Sequence, residues 1–432
     1  MSTNVRSPWK VPLGILMTVT AVAIPAQPAH AESQAPPSSI QPAEDPAEDT
    51  QATPGPGDEA GWEVGWKDSF YFNSPDGDFK LKIGGRLHAD WTFADADDSL
   101  ESAFGEIGDG SEFRRARLYL SGLLYGNVEF KLQYDFASGD ADVKDAYIGF
   151  KDTPVGNLRI GHIKEPFSLD ELTSSKYLAF LERGLPNALA PSRNTGIQLS
   201  DRIGERFTWA VGAFRESDGL GLSEGDGKLN LTGRVTGLPI YLDSGRRLLH
   251  LGLGLSHKDL GEADFRLRQR PEAHQTPRFV DTGSLATDAN LLANLELAVI
   301  SGPFWASAEY LSADVDAPLL GDPSFGGYTV EAGYFLTGEH RPYKPSAATF
   351  SRVRPKRNFA RGGGGGAWEI AVRASSLDLS DAGVDGGEMD NFALAVNWYV
   401  NPASRVALNF VHSDRQDIGE ADFVLLRLLI EF

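Results

Sequence analysis

The stretch FKLKIGGRLHADWTF, from Phe79 to Phe93, alternates between apolar and polar residues. Every second residue, counted from Phe79, is mostly large and apolar, whereas the residues between them include the charged Lys80, Arg86 and Asp90. Successive side chains of a β-strand point to opposite faces of the sheet. The stretch therefore predicts a long strand with one apolar face and one charged face.

Similar segments recur as far as the C-terminus. Their number is even, which is typical of a closed meander whose two ends meet. We predict sixteen strands, at residues 79–93, 113–124, 128–137, 143–151, 156–164, 195–202, 205–216, 228–240, 246–260, 286–301, 303–315, 325–337, 366–379, 389–401, 404–413 and 421–432.

The connections between these segments differ in length. Tight turns are expected at 125–127, 152–156 and 401–402, and long loops at 94–112, 165–194 and 261–285. An antiparallel barrel of the outer membrane has short turns at one end and long loops at the other. Both termini then lie at the short-turn end.

A soluble β-sandwich would show the same alternation, with its apolar faces turned inward. Three features favour a membrane barrel. Many segments are 9 to 15 residues long, several apolar faces carry aromatic residues near their ends, and the last strand alternates up to a terminal Phe432. We therefore predict an all-β protein, a 16-stranded antiparallel transmembrane β-barrel spanning residues 62–432.

Composition excludes several other classes. The sequence has no cysteine, which rules out disulfides and thiolate metal sites. Its net charge of −20 argues against a nucleic-acid partner. We expect no cofactor and no metal.

The N-terminal 61 residues do not share the strand pattern. Residues 1–31 combine Arg6 and Lys10, an apolar stretch and Ala29-His30-Ala31, which is typical of a secretory signal peptide. Residues 32–61 are rich in proline and acids and predict a disordered periplasmic tether.

From Phe113-Arg114-Arg115-Ala116-Arg117 onward, the sequence resembles the phosphate-selective porin O and P family. The matching segments follow one another in order over nearly all of residues 79–432. They include KDAY at 144–147, GHIKEPFSL at 161–169, LTSSK at 172–176, LER at 181–183, RVTGLP at 234–239, RPE at 270–272, YFLTGEHR at 334–341, GAWE at 366–369 and NWY at 397–399.

The resemblance implies an outer-membrane porin of a Gram-negative cell that allows passive diffusion of small ions or solutes, with phosphate or other anions as candidates. It also implies a homotrimer, in contact with lipopolysaccharide and outer-membrane lipid. The third loop (165–194), the fifth loop (261–285) and one long periplasmic turn (338–365) would fold into the lumen. The turn carries several cations, and the other external loops carry many acids, so we expect an acidic outer mouth and a basic periplasmic side.

Residue types and parity suggest which side chains line the pore. Guanidinium groups bind phosphate oxygens in pairs of hydrogen bonds and stay charged at any working pH. Arg114 has the opposite parity and is expected at the rim, facing lipopolysaccharide. The predicted pore-lining or anion-binding residues are Arg86, Arg115, Arg117, Asp145, Ser174, Ser175 and Arg183.

Alternatives to a phosphate pore remain open. Glu171 stands where phosphate-selective members carry a lysine, and a carboxylate repels a phosphate dianion. A rival role for the arginines is to balance Glu129, Asp135 and Asp145 across the lumen. A general or cation-tolerant porin and a non-conducting structural barrel are therefore alternatives. An enzyme such as a phospholipase would need a paired serine and histidine, and the sequence identifies no such pair.

Overall fold

The computed structural model describes residues 61–137, 139–222, 229–260, 264–360 and 362–432. The predicted signal peptide and all but the last residue of the predicted tether lie outside the described residues. Among the residues that are described, no helix is long and apolar enough to cross a membrane.

Sixteen antiparallel strands form one closed barrel, in which each strand pairs with the next and the last pairs with the first. The predicted fold class is confirmed, and each predicted strand overlaps an observed one. The strands are β1 (Lys80–Ala96), β2 (Gly110–Leu124), β3 (Val128–Asp135), β4 (Asp142–Thr153), β5 (Gly156–Lys164), β6 (Arg193–Ile203), β7 (Phe207–Arg215), β8 (Asn230–Leu242), β9 (Arg247–Asp259), β10 (Ala289–Ser301), β11 (Phe304–Asp316), β12 (Ser324–Phe335), β13 (Ala367–Asp381), β14 (Val384–Asn401), β15 (Ser404–Arg415) and β16 (Gly419–Glu431).

Short elements decorate the ends and the interior of the barrel. A hairpin before β1 pairs with the start of that strand. Three two-stranded pairs and several single helical turns occur in the loops. The hairpin comprises Glu63–Trp66 and Phe70–Asn73. The two-stranded pairs are Asp264–Phe265 with Leu285–Ala286, Arg268–Gln269 with Val280–Asp281, and Tyr343–Lys344 with Thr349–Phe350.

The helices in the loops are short. The α-helices are α1 (Asp98–Phe104) and α2 (Leu169–Leu172), and the 3-10 helices are Leu185–Leu189, Asp243–Gly245, Pro318–Leu320 and Pro345–Ala347.

The alternation in β1 separates an outer face from an inner face. Leu87 and Phe93 are exposed on the outside, as expected for side chains that contact lipid, whereas Arg86, His88 and Asp90 are buried inside. This is the orientation that the charged and apolar faces of the strand predicted.

The second half of the barrel differs because its inner face carries large apolar side chains beside its polar ones. Inward side chains such as Trp305, Phe325 and Phe335 are almost fully buried. They form one cluster with residues of the inward-folded loops, including Phe167 and Phe180. The lumen therefore contains a packed hydrophobic core beside its polar space. Only part of the wall follows the pattern in which polar side chains face inward and apolar ones face outward.

The barrel closes between β16 and β1 through the C-terminal residue. The backbone N–H of Gly85 donates to the Phe432 carbonyl at 2.5 Å, and the Phe432 N–H donates to the Gly85 carbonyl at 3.1 Å. A Cβ atom at Gly85 would lie 2.6 Å from the Arg117 carbonyl oxygen and 2.7 Å from the Phe432 ring. Glycine is thus required where the strands meet.

Candidate functional site

The third loop, residues 165–192, crosses the lumen and covers the inner face of the second half of the barrel. Its Phe167, Leu169, Phe180 and Leu185 are essentially inaccessible to solvent. Its 3-10 helix, Leu185–Leu189, contacts β11, β12 and β13. Burial of these side chains fixes the loop against one side of the barrel and leaves polar space on the other.

Side chains of the barrel wall hold the backbone of this loop. Arg405 donates to the Leu178 carbonyl at 2.6 Å, Asn397 to the Ala179 carbonyl at 2.9 Å, and Arg427 to the Leu181 carbonyl at 2.5 Å. Because their hydrogen bonds go to the loop, these wall residues position the constriction rather than line an open path.

Glu309 on β11 holds the start of the loop. It accepts hydrogen bonds from the Ser168 hydroxyl at 2.8 Å and from the backbone N–H groups of Leu169 and Asp170 at 3.1 and 2.6 Å. Ser168 also accepts from the Glu171 N–H at 3.1 Å, so it caps α2. One carboxylate thus satisfies backbone donors at the start of α2 that would otherwise be unpaired.

A cavity of about 1030 Å³ lies between the loop and the wall formed by the first strands. Its lining contains fourteen arginines and lysines and only five aspartates and glutamates, so it is strongly positive. All seven predicted pore-lining residues lie in this lining: Arg86, Arg115, Arg117, Asp145, Ser174, Ser175 and Arg183. The structure brings them together, and their role in anion binding stays a prediction.

Arg86 joins the wall to the two serines of the loop. One of its terminal nitrogens, Nη1, donates to Ser175 Oγ at 2.9 Å and to Ser174 Oγ at 3.3 Å. No carboxylate of the described residues lies within ion-pair distance of Arg86. Because each serine accepts from Arg86, each hydroxyl keeps its own proton to donate elsewhere.

Glu171 is neutralised by two cations. Its carboxylate lies 2.8 Å from Lys164 Nζ and 3.3 Å from Arg183 Nε. Burial alone would raise the pKa of Glu171, but Arg183 and Lys164 outweigh it and lower the pKa to about 2. Glu171 is therefore ionised and paired, and the repulsion expected from an isolated carboxylate is largely cancelled.

Arg183 was predicted as a source of positive charge. Besides its contact with Glu171, it donates to the backbone carbonyls of Asp170, Glu171 and Thr173 at 2.8 to 3.0 Å. Arg183 thus also folds the loop upon itself.

The acids across the lumen balance some of the predicted arginines. Arg117 pairs with Asp135 at 2.6 Å. Asp145 pairs with Lys131 and Arg193, at 2.5 and 2.8 Å. The balancing role therefore applies to Arg117 and Asp145, whereas Arg86 has no carboxylate of the described residues within ion-pair distance.

The expectation that Arg114 faces outward is wrong. In the pairing of β1 with β2, His88 faces Arg115 and Ala89 faces Phe113, so Arg114 is an extra residue in a β-bulge. Its guanidinium binds the Glu182 carboxylate in the lumen through two hydrogen bonds of 2.9 Å. A bulge shifts the inward and outward order, which simple counting cannot detect.

The Glu182 carboxylate forms ion pairs with both Arg114 and Arg115. Arg114 contacts it directly, and Arg115 Nη1 lies 3.8 Å from its Oε1. Burial would raise the pKa of Glu182, but Arg114, Arg115 and Arg427 hold it well below its usual value. The bond from Arg427 Nη2 to Glu182 is 2.9 Å long.

The fifth loop modifies the expected acidic outer mouth. It supplies a basic group at Arg266, Arg268, Arg270 and Arg278. Burial lowers the pKa of Arg270, and the nearby charge of Arg114 lowers it further. Positive charge therefore extends from this loop toward the cavity, although the remaining external loops are rich in acids.

A second cavity of about 750 Å³ lies beside the inward turn. The turn contributes the predicted cations Lys344, Arg352, Arg354 and Lys356 to its lining. Arg341 is instead buried between Trp305 and Phe350, and Arg361 lies outside the described residues.

The sequence analysis missed further cavity-lining cations outside the turn. Those of the first cavity include Lys131, Arg159, Lys164 and Arg193. For Lys131 a signal existed, because it shares the parity of Glu129 and Asp135.

One serine and one histidine do meet, contrary to the sequence expectation. Ser217 Oγ lies 3.1 Å from His162 Nδ1, and Thr195 Oγ1 lies 3.4 Å from the same nitrogen. Among the described residues, no carboxylate is hydrogen-bonded to this imidazole, so the orienting third group of a hydrolytic triad is missing. Nor do the described parts of the chain contain a group of three or more histidines and acids suited to a metal ion.

A closed 16-stranded barrel with an apolar outer face, an inward third loop and a charged cavity defines an outer-membrane porin. The chain belongs to the phosphate-selective porin O and P family, whose model matches residues 81–428. The resemblance seen in the sequence is thereby confirmed. The protein is a β-barrel of the outer membrane of a Gram-negative bacterium, and its family and fold are those of a channel rather than an enzyme.

Relatives and solved structures agree with this assignment. The chain is 32% identical over 374 residues to an uncharacterized protein of Caulobacter vibrioides, covering 82% of this chain and 72% of that protein. It is 29% identical over 387 residues to Porin O of Pseudomonas aeruginosa, covering 79% of this chain and 85% of that protein. The fold is similar to that of an anion-selective porin from Comamonas acidovorans, with a TM-score of 0.54, 14% identity, and coverage of 82% of this chain and 100% of that one.

Proposed function

We propose that this porin allows passive diffusion of small oxyanions, including inorganic phosphate. One observation carries the proposal: the cavity lining has nearly three times as many cations as acids. A permeating ion loses part of its hydration shell in a constriction, and lining charges of opposite sign lower that cost. Such a lining favours anions over cations.

Arg86 with Ser174 and Ser175 is the proposed contact for the oxyanion. The arginine offers a charge with no described carboxylate within ion-pair distance, and the two hydroxyls have protons available to donate. The neutralised Glu171 removes the main objection to phosphate. The Comamonas acidovorans relative of this fold is described as anion-selective, which supports the proposal.

The alternative is a porin that passes small solutes without selecting phosphate. It is favoured by the acidic external loops, where Asp97, Glu101 and Asp109 all lie between β1 and β2. Those acids also suit bridging to lipopolysaccharide phosphates through divalent cations. We propose in addition that the protein is not an enzyme, since none of the described carboxylates is hydrogen-bonded to His162, the partner of Ser217.

We further propose that the barrel assembles as a homotrimer. OmpT of Vibrio cholerae, described in a trimer form, shares the fold with a TM-score of 0.50 and 12% identity, over 81% of this chain and 99% of that one. Cross-linking of the purified, heat-modifiable protein would test the assembly.

Reversal potentials in planar bilayers test the proposed function. The wild-type protein should conduct and prefer anions in a chloride gradient, and exchange of chloride for phosphate should retain an anion preference. Arg86→Gln should lower the anion-to-cation permeability ratio by about two- to threefold, the size expected for one charge acting across several ångström of hydrated pore.

A matched variant controls for loss of charge elsewhere. Arg247 is exposed and lines neither cavity, so Arg247→Gln should leave the ratio unchanged. A folded protein that never conducts would refute the porin function itself. Equal permeability for potassium and chloride would instead favour the unselective alternative.

A further inference from the structure

The inward turn between β12 and β13 ends in a small hairpin that projects into the lumen. Its two short strands, Tyr343–Lys344 and Thr349–Phe350, are joined by the 3-10 helix Pro345–Ala347. The side chains of this hairpin divide between two environments. Tyr343 and Phe350 are buried, whereas Lys344 is exposed.

Lys344 is placed where the two cavities meet. It is the residue of the hairpin that lines both the 1030 Å³ cavity and the 750 Å³ cavity. No carboxylate of the described residues lies within ion-pair distance of its ammonium group. An ion that passes from one cavity to the other therefore passes an unpaired positive charge.

A buried chain of hydrogen bonds ties the hairpin to the barrel wall. The Tyr343 hydroxyl lies 2.8 Å from His250 Nδ1, and His250 Nε2 lies 2.9 Å from Glu296 Oε2. Since an ionised carboxylate can only accept, His250 Nε2 carries the proton that it donates to Glu296. The imidazole thus joins the phenol to the carboxylate.

The chain continues to the other side of the hairpin. Arg234 binds Glu296 through two hydrogen bonds, of 2.8 and 2.7 Å. The same guanidinium donates to the carbonyl of Ala348 at 2.9 Å. Ala348 has a positive φ of 48°, a conformation that an alanine holds only when its surroundings enforce it.

The base of the turn is held separately. The Arg341 guanidinium stacks between Trp305 and Phe350, 4.1 and 4.5 Å from their ring centroids. It also donates to the Tyr177 carbonyl of the third loop at 2.9 Å. The base can therefore stay in place when the network at the tip is disturbed.

We propose that Tyr343, His250, Glu296 and Arg234 are positioning residues for anion selectivity, because their network holds the Lys344 ammonium between the two cavities. The proposal rests on the proposed anion channel. It assigns no solute contact to His250 and Glu296, which line neither cavity, whereas Tyr343 and Arg234 border the cavities and are hydrogen-bonded within the network. Their effect on permeation is exerted through Lys344.

A double-mutant cycle on Tyr343 and Lys344 tests this coupling. Tyr343→Phe removes a single hydroxyl and should leave the barrel folded, as judged by heat-modifiable migration. Lys344→Gln should lower the anion-to-cation permeability ratio by about two- to threefold in the wild-type background. In the Tyr343→Phe background the same change should have little further effect.

Tyr328→Phe is the matched control, because Tyr328 is exposed on the outer face of β12. That variant should preserve the full effect of Lys344→Gln. The proposal is overturned if Tyr343→Phe and Lys344→Gln change the ratio independently. A wild-type protein without anion preference would count against the proposed function only.

A second readout does not depend on selectivity. The chain has no cysteine, so Lys344→Cys provides a unique thiol. A bulky methanethiosulfonate reagent should reduce the conductance of this variant by half or more. With Tyr343→Phe added, the reduction should be clearly smaller, and an unchanged reduction would show that the network does not hold the hairpin in the path.

Discussion

At the scale of single residues, Glu171 shows how ion pairing changes the effect of a carboxylate on a passing anion. An isolated carboxylate at this position would repel phosphate. Here Arg183 and Lys164 lower the pKa of Glu171 to about 2, although its burial acts in the opposite direction. Its ionised form thus contributes stability above the ordinary glutamate pKa, and that contribution is lost as the pH falls toward 2.

Glu171→Gln should raise the anion-to-cation permeability ratio, since it leaves Lys164 and Arg183 with one negative charge fewer. The difference between wild type and variant should still be present at about pH 3.5, where an ordinary glutamate would be mostly protonated, because Glu171 remains ionised there. It should vanish only as the pH approaches 2. Reversal potentials measured in parallel on both proteins provide the comparison.

A contradictory outcome is easy to recognise. If the difference were to fall by half near pH 4.5, Glu171 would titrate as an ordinary glutamate. The ion pairs with Lys164 and Arg183 would then not govern its charge.

At the scale of elements, the third loop depends on barrel side chains that bind its backbone. Glu309→Ala removes the acceptor of the Ser168 hydroxyl and of two backbone N–H groups. We expect the free energy of unfolding to fall by roughly 3 kcal/mol, because buried donors are left without an acceptor. Denaturant titration in detergent measures this loss, and single-channel recordings should show a noisier current.

Glu205→Ala is the matched control for that substitution. Glu205 is exposed in the short turn between β6 and β7. Its removal should change neither the stability nor the current. A stable Glu309→Ala protein with a quiet current would show that the hydrophobic side chains alone hold the loop.

The strands were predictable because alternation and turn residues are local signals. The inner faces of the later strands were less predictable. Trp305 and Phe335 point inward into a core to which the third loop, the fifth loop and the inward turn all contribute. Such contacts join residues far apart in sequence, and the resemblance to a family, rather than periodicity, indicated the inward loops.

The candidate site was predictable in membership but not in pairing. Parity correctly places Arg86, Arg115 and Arg117 in the cavity lining. It fails for Arg114, because one extra residue in a bulge reverses the order. Which cations remain unpaired depends on distances across the lumen, and these are set by the closed barrel.

At the scale of the whole molecule, the ladder between β16 and β1 closes the barrel, and the contact of Gly85 with Phe432 ends that ladder. Gly85→Val should prevent this contact, since a Cβ atom would lie 2.6 Å from the Arg117 carbonyl oxygen. We expect a large fall in the fraction of heat-modifiable barrel after refolding. Gel migration with and without boiling measures that fraction.

Gly237→Val serves as the comparison, because a Cβ atom at Gly237 would meet nothing within 4 Å. Its refolded fraction should equal that of the wild type. Equal yields for both variants would mean that the meeting of β16 and β1 tolerates a side chain.

The apolar core in the second half of the barrel and the polar cavity are built mainly from different parts of the chain. The polar cavity is lined mainly by residues 86–210, with additions from Arg234 and the inward hairpin, whereas the core is built largely from β10–β16 and the third and fifth loops. The cavity lining and the apolar core therefore draw on largely different portions of the polypeptide, and the third loop contributes to both. An exchange of the first seven strands between relatives should transfer permeation properties if the core side chains of the third loop are kept.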